Sequence, residues 1–572
     1  MTTRNKLVAV ARGDERPHIV IKNVTLVNVL TGTLDGPVDI SIHGNRVASV
    51  SPANSSTYGD QIIDGTGMFA APGFVDGHVH NESSMCTPAH WAQIIVPRGT
   101  TTVFTDPHEI GNVMGIRGVE YMIAASRGLP LRYFITAPSC VPAVPSVESA
   151  GAEFHALEMR QLLGLDRVVA IAEAMNYVQI IHQTGDITPI VEAGHERGVP
   201  IEGHAPGLMG SDLQAYLAAT GPRSSDHESL DAEEMLQKVQ AGMMVYARYS
   251  TFRDTTPAIT QAIGHVSDHR LFGFCTDDIM PHDLLSYGHL DRGMRALIAC
   301  GVNPLVVYQM ATINVAQHYG ISSLGAIAPG WLADIVLVDH LENVDVRYVI
   351  VDGQLVVNNH EWVIPFGEPV PPLLEDTVRI PSLTVESFAL PYGLTHVHAI
   401  DMRQFITELT VVDLPSDGTL PEGISIASIV PRHGQGTSPS LAVLSGYPIE
   451  QGAIASTVSH DSHNMAIIGK NITDMLLAAL ELKRLGGGVT AVLNGAVLAS
   501  LPLPIAGLMS PLPVQKSAAQ IQKLAEVMPQ LGLPPVFPIN VIALALPAFP
   551  GYRITDKGLV EVATQTFIPL TA

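Results

Sequence analysis

Between residues 74 and 324, short apolar runs alternate with longer segments whose apolar residues recur at helical spacing. The runs cover 74–80, 101–106, 131–137, 168–174, 200–204, 223–227, 243–249 and 271–277. Near-continuous apolar stretches of this length read as strands buried on both faces of a parallel sheet. Helices are expected over 118–127, 189–197, 211–219, 232–241 and 256–266. Thr188 serves the second of these as N-cap, with Pro189 at its first helical position. Eight β-α units in about 250 residues have the length and order of a closed (β/α)8 barrel, whose active site lies at the C-terminal ends of the strands.

The flanks follow other patterns. Residues 1–17 are polar and read as an irregular arm. From 18 to 68, runs at 18–21, 25–29, 39–42 and 46–50 are punctuated by Gly and Asn, as in a small sheet. After the barrel, assigned to 69–324, the β pattern returns at 333–338 and 347–357, with Asp352-Gly353 as a tight hairpin turn. One composite β domain from 18–68 and 325–367 would place the two barrel ends side by side. Pro-rich chain around 365–372 opens a linker over 368–384. An α/β domain over 385–572 follows, with a helix near 474–484 and a hairpin over 487–501 around Asn494-Gly495. The sequence has no internal repeat.

Composition narrows the function classes. At 572 residues and 47% hydrophobic, the chain can bury several cores. Its most apolar late run, 536–549, is broken by Pro538, Asn540 and Pro547, so no membrane partner is expected. A net charge of −23 argues against nucleic acid as a partner. The N-terminus has no signal-peptide pattern, and Cys86, Cys140, Cys275 and Cys300 are scattered rather than paired, which points to a reducing cytoplasm. Without Cys-x-x-Cys, a zinc ribbon or a Cys-ligated deaminase site is not expected.

The chemistry concentrates at the strand ends. His78 and His80 are two apart, so both imidazoles leave one side of the first strand, an arrangement that suits a divalent metal. Glu173 sits alone in the apolar run of the fourth strand, where a carboxylate needs either an ion-pair partner or a metal. The fifth and sixth strands end in His204 and His227, and the eighth in Asp277-Asp278. Singly, each His reads as a satisfied core residue and each Asp as a helix N-cap. Together they form a set.

That set, on an eight-unit barrel with a split β domain, resembles the amidohydrolase superfamily. The resemblance implies that His78 and His80 bind one metal and His204 and His227 a second. Glu173 would bridge them, and Asp277 would bind metal and take a proton from the attacking water. The segments 78–85, 105–112, 173–176, 202–206, 225–228, 276–278, 310–316 and 459–465 further resemble the bacterial type of adenine deaminase, over nearly the whole chain. That likeness implies hydrolysis of adenine to hypoxanthine and ammonia, in purine salvage, through metal-bridged hydroxide attack at C6. It also implies two divalent ions per chain, manganese or iron, with zinc as the other option.

Within this reading Asp106, His108 and Glu109 handle the protons of N1 and of the departing amine, against the plainer reading of a loop cap and a salt bridge. Glu82 either accepts a proton or orients His80. His460, Asp461 and His463 form a further metal site, a cover over the barrel or a loop network. The chain departs from the family pattern at Tyr177-Val178-Gln179 and at Ile279-Met280-Pro281, positions expected to line the pocket. Alternatives are a related amidohydrolase acting on another amino-heterocycle or cyclic amide, and a barrel kept only as a binding module. A homodimer is expected.

Overall fold

The computed structural model describes the whole chain except residues 1–2, 56–57, 366–369, 371, 374, 404–405, 416, 539–540, 542 and 546–550. The expected linker at 368–384 therefore lies partly outside the described residues, as does much of the run 536–549. No helix among the described residues is long and apolar enough to cross a membrane.

Eight parallel strands carry the site. They are β1 (Phe74–Val79), β2 (Thr100–Thr105), β3 (Arg132–Ala137), β4 (Val168–Ala174), β5 (Ile201–Gly203), β6 (Ser225–Asp226), β7 (Met244–Arg248) and β8 (Phe272–Cys275). The first five form one parallel sheet and the last three another. Single parallel bridges mark both seams, Ile201 to Ser224 and Val79 to Asp277. Strands β5 and β6 are much shorter than the sequence suggests, because their histidines already lie in the loops beyond. Gly77 is required for close approach in β1: a Cβ there would meet the Tyr246 ring at 2.5 Å.

A nine-stranded sheet is built from segments on either side of these strands. Ile335–Val338 pairs antiparallel with Phe69–Pro72, the strand that runs into β1. The expected turn is present, with Asp352 and Gly353 at φ 51° and 76°. Such a pair of positive φ values suits a tight hairpin turn.

The last part of the chain forms an eight-stranded sheet from His396 to Pro502, with helices Ile472–Leu485 and Val514–Val527 packed on it. A three-stranded sheet of Tyr552–Thr555, Gly558–Glu561 and Thr566–Ile568 follows. This region docks on the loop after β3. Asn464 donates to the Ser149 carbonyl at 2.7 Å, and the Ser149 amide donates to Asp556 at 2.9 Å.

Two sequence expectations need correction. Residues 3–12 are a helix rather than an irregular arm, because Leu7 and Val10, three apart, turn one face onto the sheet. The helix Ile187–Arg197 starts before Thr188, whose hydroxyl donates back to the Thr184 carbonyl at 3.1 Å instead of capping.

Candidate metal centre

His78 lies within β1 and His80 just beyond it, and both imidazoles point to the same place, as the two-residue spacing requires. Opposite them stands Asp277, two residues past β8, in the left-handed region at φ 54°. That conformation is costly for a residue with a Cβ and is held here by two backbone bonds. The Asp277 amide donates to the His78 carbonyl at 2.9 Å, and the His80 amide to the Asp277 carbonyl at 3.1 Å. The strain thus turns the carboxylate inward, with Oδ1 3.3 Å from His78 Nε2 and 3.1 Å from His80 Nε2.

Glu173, near the end of β4, stands at the centre. Its Oε1 lies 3.3 Å from His80 Nε2, 3.9 Å from His78 Nε2 and 3.4 Å from His108 Nδ1. Its Oε2 lies 2.8 Å from His204 Nδ1 and 3.3 Å from His227 Nε2. One carboxylate is therefore shared between two groups of imidazoles. Burial alone would raise the Glu173 carboxyl, but contacts with His204, His227 and His80 hold it well below the ordinary range.

These residues suit divalent cations. His78, His80 and Asp277 offer ligand atoms within 4.8 Å of one another, and so do His78, Glu173 and His227. His78 Nε2 is buried without a hydrogen-bond partner, and burial, followed by the charge of His227, lowers its pKa. A neutral imidazole with a free buried nitrogen is what a metal takes as a ligand. Behind it, His80 Nδ1 faces the Asp106 carbonyl at 2.9 Å, which fixes the ring.

The proton-handling candidates divide by position. His108 and Glu109 line a cavity of about 400 Å³ above the centre, whereas Asp106 and Glu82 stand behind it. Asp106 Oδ2 lies 3.0 Å from His108 Nδ1. Glu82 accepts from the Ile110 amide at 3.3 Å, and burial, then the charge of Glu109, pushes its carboxyl up to about 7. It does not orient His80, whose second nitrogen is taken by Asp106.

The segments that depart from the family pattern do not line this cavity. Met175 and Asp278 do, while Tyr177 to Gln179 and Ile279 to Pro281 turn into the helices that follow. His460 and Asp461 reach the cavity from the C-terminal sheet domain, and His463 pairs with Glu109 below it.

Sequence reasoning missed Arg248, at the end of β7. It pairs with Asp277 Oδ2 and with Glu228, which Arg253 also holds at 2.7 Å. The signal was present: an arginine at the end of the apolar run Met-Val-Tyr-Ala, at the same level as the other strand-end ligands. Burial opposes the charge on Asp277, yet Arg248 and the two histidines hold its carboxyl well below the usual range.

Parallel strands with candidate His, Glu and Asp metal ligands at their C-terminal ends fit the amidohydrolase class of metal-dependent enzymes, and residues 69–356 match the amidohydrolase family. Residues 403–566 match the adenine deaminase C-terminal domain. Adenine deaminase of Nitratidesulfovibrio vulgaris (strain DP4) is 37% identical, with 98% of each chain covered. Adenine deaminase of Methanothrix thermoacetophila is 37% identical, with 99% of each chain covered. The chain belongs to the adenine deaminase family. Among solved structures, atrazine chlorohydrolase from Arthrobacter aurescens, complexed with zinc, is 16% identical at a TM-score of 0.47, covering 61% of this chain and 97% of that one.

Proposed function

We propose that the chain catalyses the hydrolytic deamination of adenine: water adds at C6, ammonia leaves, and hypoxanthine is released. The observation that carries this reading is Glu173, whose two oxygens serve separate groups of imidazoles on the floor of one cavity. Full-length likeness to adenine deaminases supports the substrate. His78 and His80 would hold one divalent cation and His204 and His227 a second, with Glu173 between them and Asp277 alongside. When bound, such a pair supplies Lewis-acid activation of water at neutral pH. Manganese or iron is the proposed metal, with zinc as the other option.

The chain's own groups do the rest. Asp277, kept ionised by Arg248, accepts the proton of the attacking water. His108 faces the cavity and delivers protons to N1 and to the departing amine, while Glu109, held ionised against burial by His460 and His463, is the proton acceptor of the same network. Asp106 holds His108 in orientation, and Glu82 stands next in line behind Glu109. The single bridges at both seams support a closed (β/α)8 barrel, flanked by the composite β domain and a C-terminal domain that completes the pocket wall. A cytoplasmic homodimer in purine salvage is the setting this reading proposes.

The deciding experiment is ammonia release from adenine by protein reloaded with manganese or ferrous iron, alongside a panel of other amino-heterocycles and cyclic amides. Release from adenine that stops on chelation is expected. Two metals bound per chain with no release from adenine would reject adenine as substrate.

A further inference from the structure

Two side chains that face the cavity have no established task. His460 and Asp461 are 7% and 2% exposed, and both line its wall. His460 Nε2 and Asp461 Oδ2 are buried without a hydrogen-bond partner. Buried polar atoms are nearly always paired, so two orphans on adjacent residues at one cavity wall point to a ligand that pairs them. The other nitrogen of His460 is engaged. His460 Nδ1 lies 2.8 Å from Glu109 Oε1, whereas Asp461 Oδ1 stands 3.9 Å from His108 Nε2, beyond hydrogen-bond reach and open to the same ligand.

The loop that carries them is fixed from behind. Arg432, fully buried, donates to the His463 carbonyl and to those of Thr377 at 3.1 Å, Ala506 at 3.1 Å and Thr457 at 3.4 Å. The Ser459 amide donates to His463 Nδ1 at 3.1 Å, and His463 Nε2 pairs with Glu109. So the orphaned pair is held in place by its supports.

We propose that His460 and Asp461 bind the ring-nitrogen edge of the substrate, so that the C-terminal domain sets which heterocycle the metal centre receives. Resting on the deaminase reading above, this assigns the binding edge and not the chemical step. Met175, Leu230, Phe252 and Ile406 supply apolar surface to the same cavity, as the faces of a flat ring require. A carboxylate oxygen accepts a ring N–H. Beside it, His460, with one proton engaged by Glu109, donates its other N–H to a ring nitrogen. The charge of Glu109 outweighs burial and pushes the His460 imidazole up to about 9, in keeping with two protons on the ring. An N–H next to a bare ring nitrogen is the pattern of the N9–H/N3 edge of a free purine, and a substituent on N9 removes it. Free adenine is therefore accepted and 9-methyladenine refused.

The test uses the metal-loaded full chain and the variants Asp461→Asn and His460→Gln, which keep the shape of the side chains. Steady-state ammonia release from adenine gives KM and kcat, calorimetry gives the affinity for the product hypoxanthine, and metal content is measured on the same samples. Asp461→Asn is expected to raise KM and to weaken hypoxanthine binding about 10–100-fold, with kcat within about tenfold and both metals retained. His460→Gln is expected to do so less strongly. Wild-type protein is expected to turn over 9-methyladenine at least about 100-fold less efficiently than adenine, and Asp461→Asn to narrow that gap.

Unchanged KM and product affinity overturn the proposal. So does a collapse of kcat at constant KM, which would assign proton transfer instead, or a loss of metal. If wild-type protein releases no ammonia from adenine, the substrate reading fails separately. Calorimetry with adenine then still decides the inference, because equal affinities, or no binding by either protein, overturn it.

Discussion

The guanidinium of Arg248, at the end of β7, pairs with the Asp277 carboxylate beyond β8, and both are buried. A buried carboxylate that must accept a proton needs a countercharge to stay ionised, and Arg248 provides it. Replacing Arg248 with Gln should lower kcat/KM for adenine by at least about 100-fold at neutral pH, the range typical of losing an effective general base. The sign of the pH effect follows. Removing the cation raises the Asp277 pKa, so the acid limb of the rate profile moves to higher pH. Arg248→Lys should recover part of the loss. An acid limb in the same place for wild type and Arg248→Gln would mean that Arg248 does not act through Asp277.

Among the described residues, Glu173 is the one carboxylate placed within 4 Å of His78, His80, His204 and His227 together. Its amide analogue keeps the shape and loses the charge that two cations would share. Glu173→Gln should therefore lower bound metal and activity together, with the metal affinity falling by more than the roughly 10–100-fold typical of losing an outer partner. Metal analysis after dialysis, alongside ammonia release, reads both. Full metal content with full activity would remove Glu173 from the centre.

Much of this site is legible in the sequence because its candidate ligands obey strand arithmetic. His78 and His80 share a face by period two, and Glu173 is an ionisable residue inside the apolar run of β4. Harder to read are features set by contacts between distant segments. Arg248 looks like the polar end of a strand until β8 brings Asp277 beside it. The approach of His460 to Glu109 depends on docking between the C-terminal sheet and the loop after β3, which no local period encodes. Helix ends also escaped: Thr188 followed by Pro189 has the form of an N-cap, yet Asp186 and Ile187 extend the helix by starting it earlier. The apolar face of residues 3–12 rests on two residues, too few for a pattern to stand out.

Glu148 offers a test of the docked interface that is independent of catalysis. It lies buried in the loop after β3, where Oε1 accepts from the Val144 amide at 3.0 Å and Oε2 is without a hydrogen-bond partner. Burial, then the charge of Asp461, pushes its carboxyl up to about 8. An unfolded glutamate titrates near 4.3. Between these values the folded chain holds the proton that the unfolded chain releases. Its contribution to stability is therefore fully present below about pH 4 and is lost as pH rises through about 8. Glu148→Gln, which keeps an acceptor for Val144 and cannot ionise, should exceed wild type in thermal midpoint only slightly at pH 5, where about 1 kcal/mol of the contribution is lost. It should exceed wild type at pH 8 by several degrees, a difference on the order of a few kcal/mol. Thermal unfolding of both proteins at half-unit steps between pH 5 and 8.5 reads the gap. A gap that stays constant across that window would show that Glu148 keeps an ordinary pKa and that water reaches the interface.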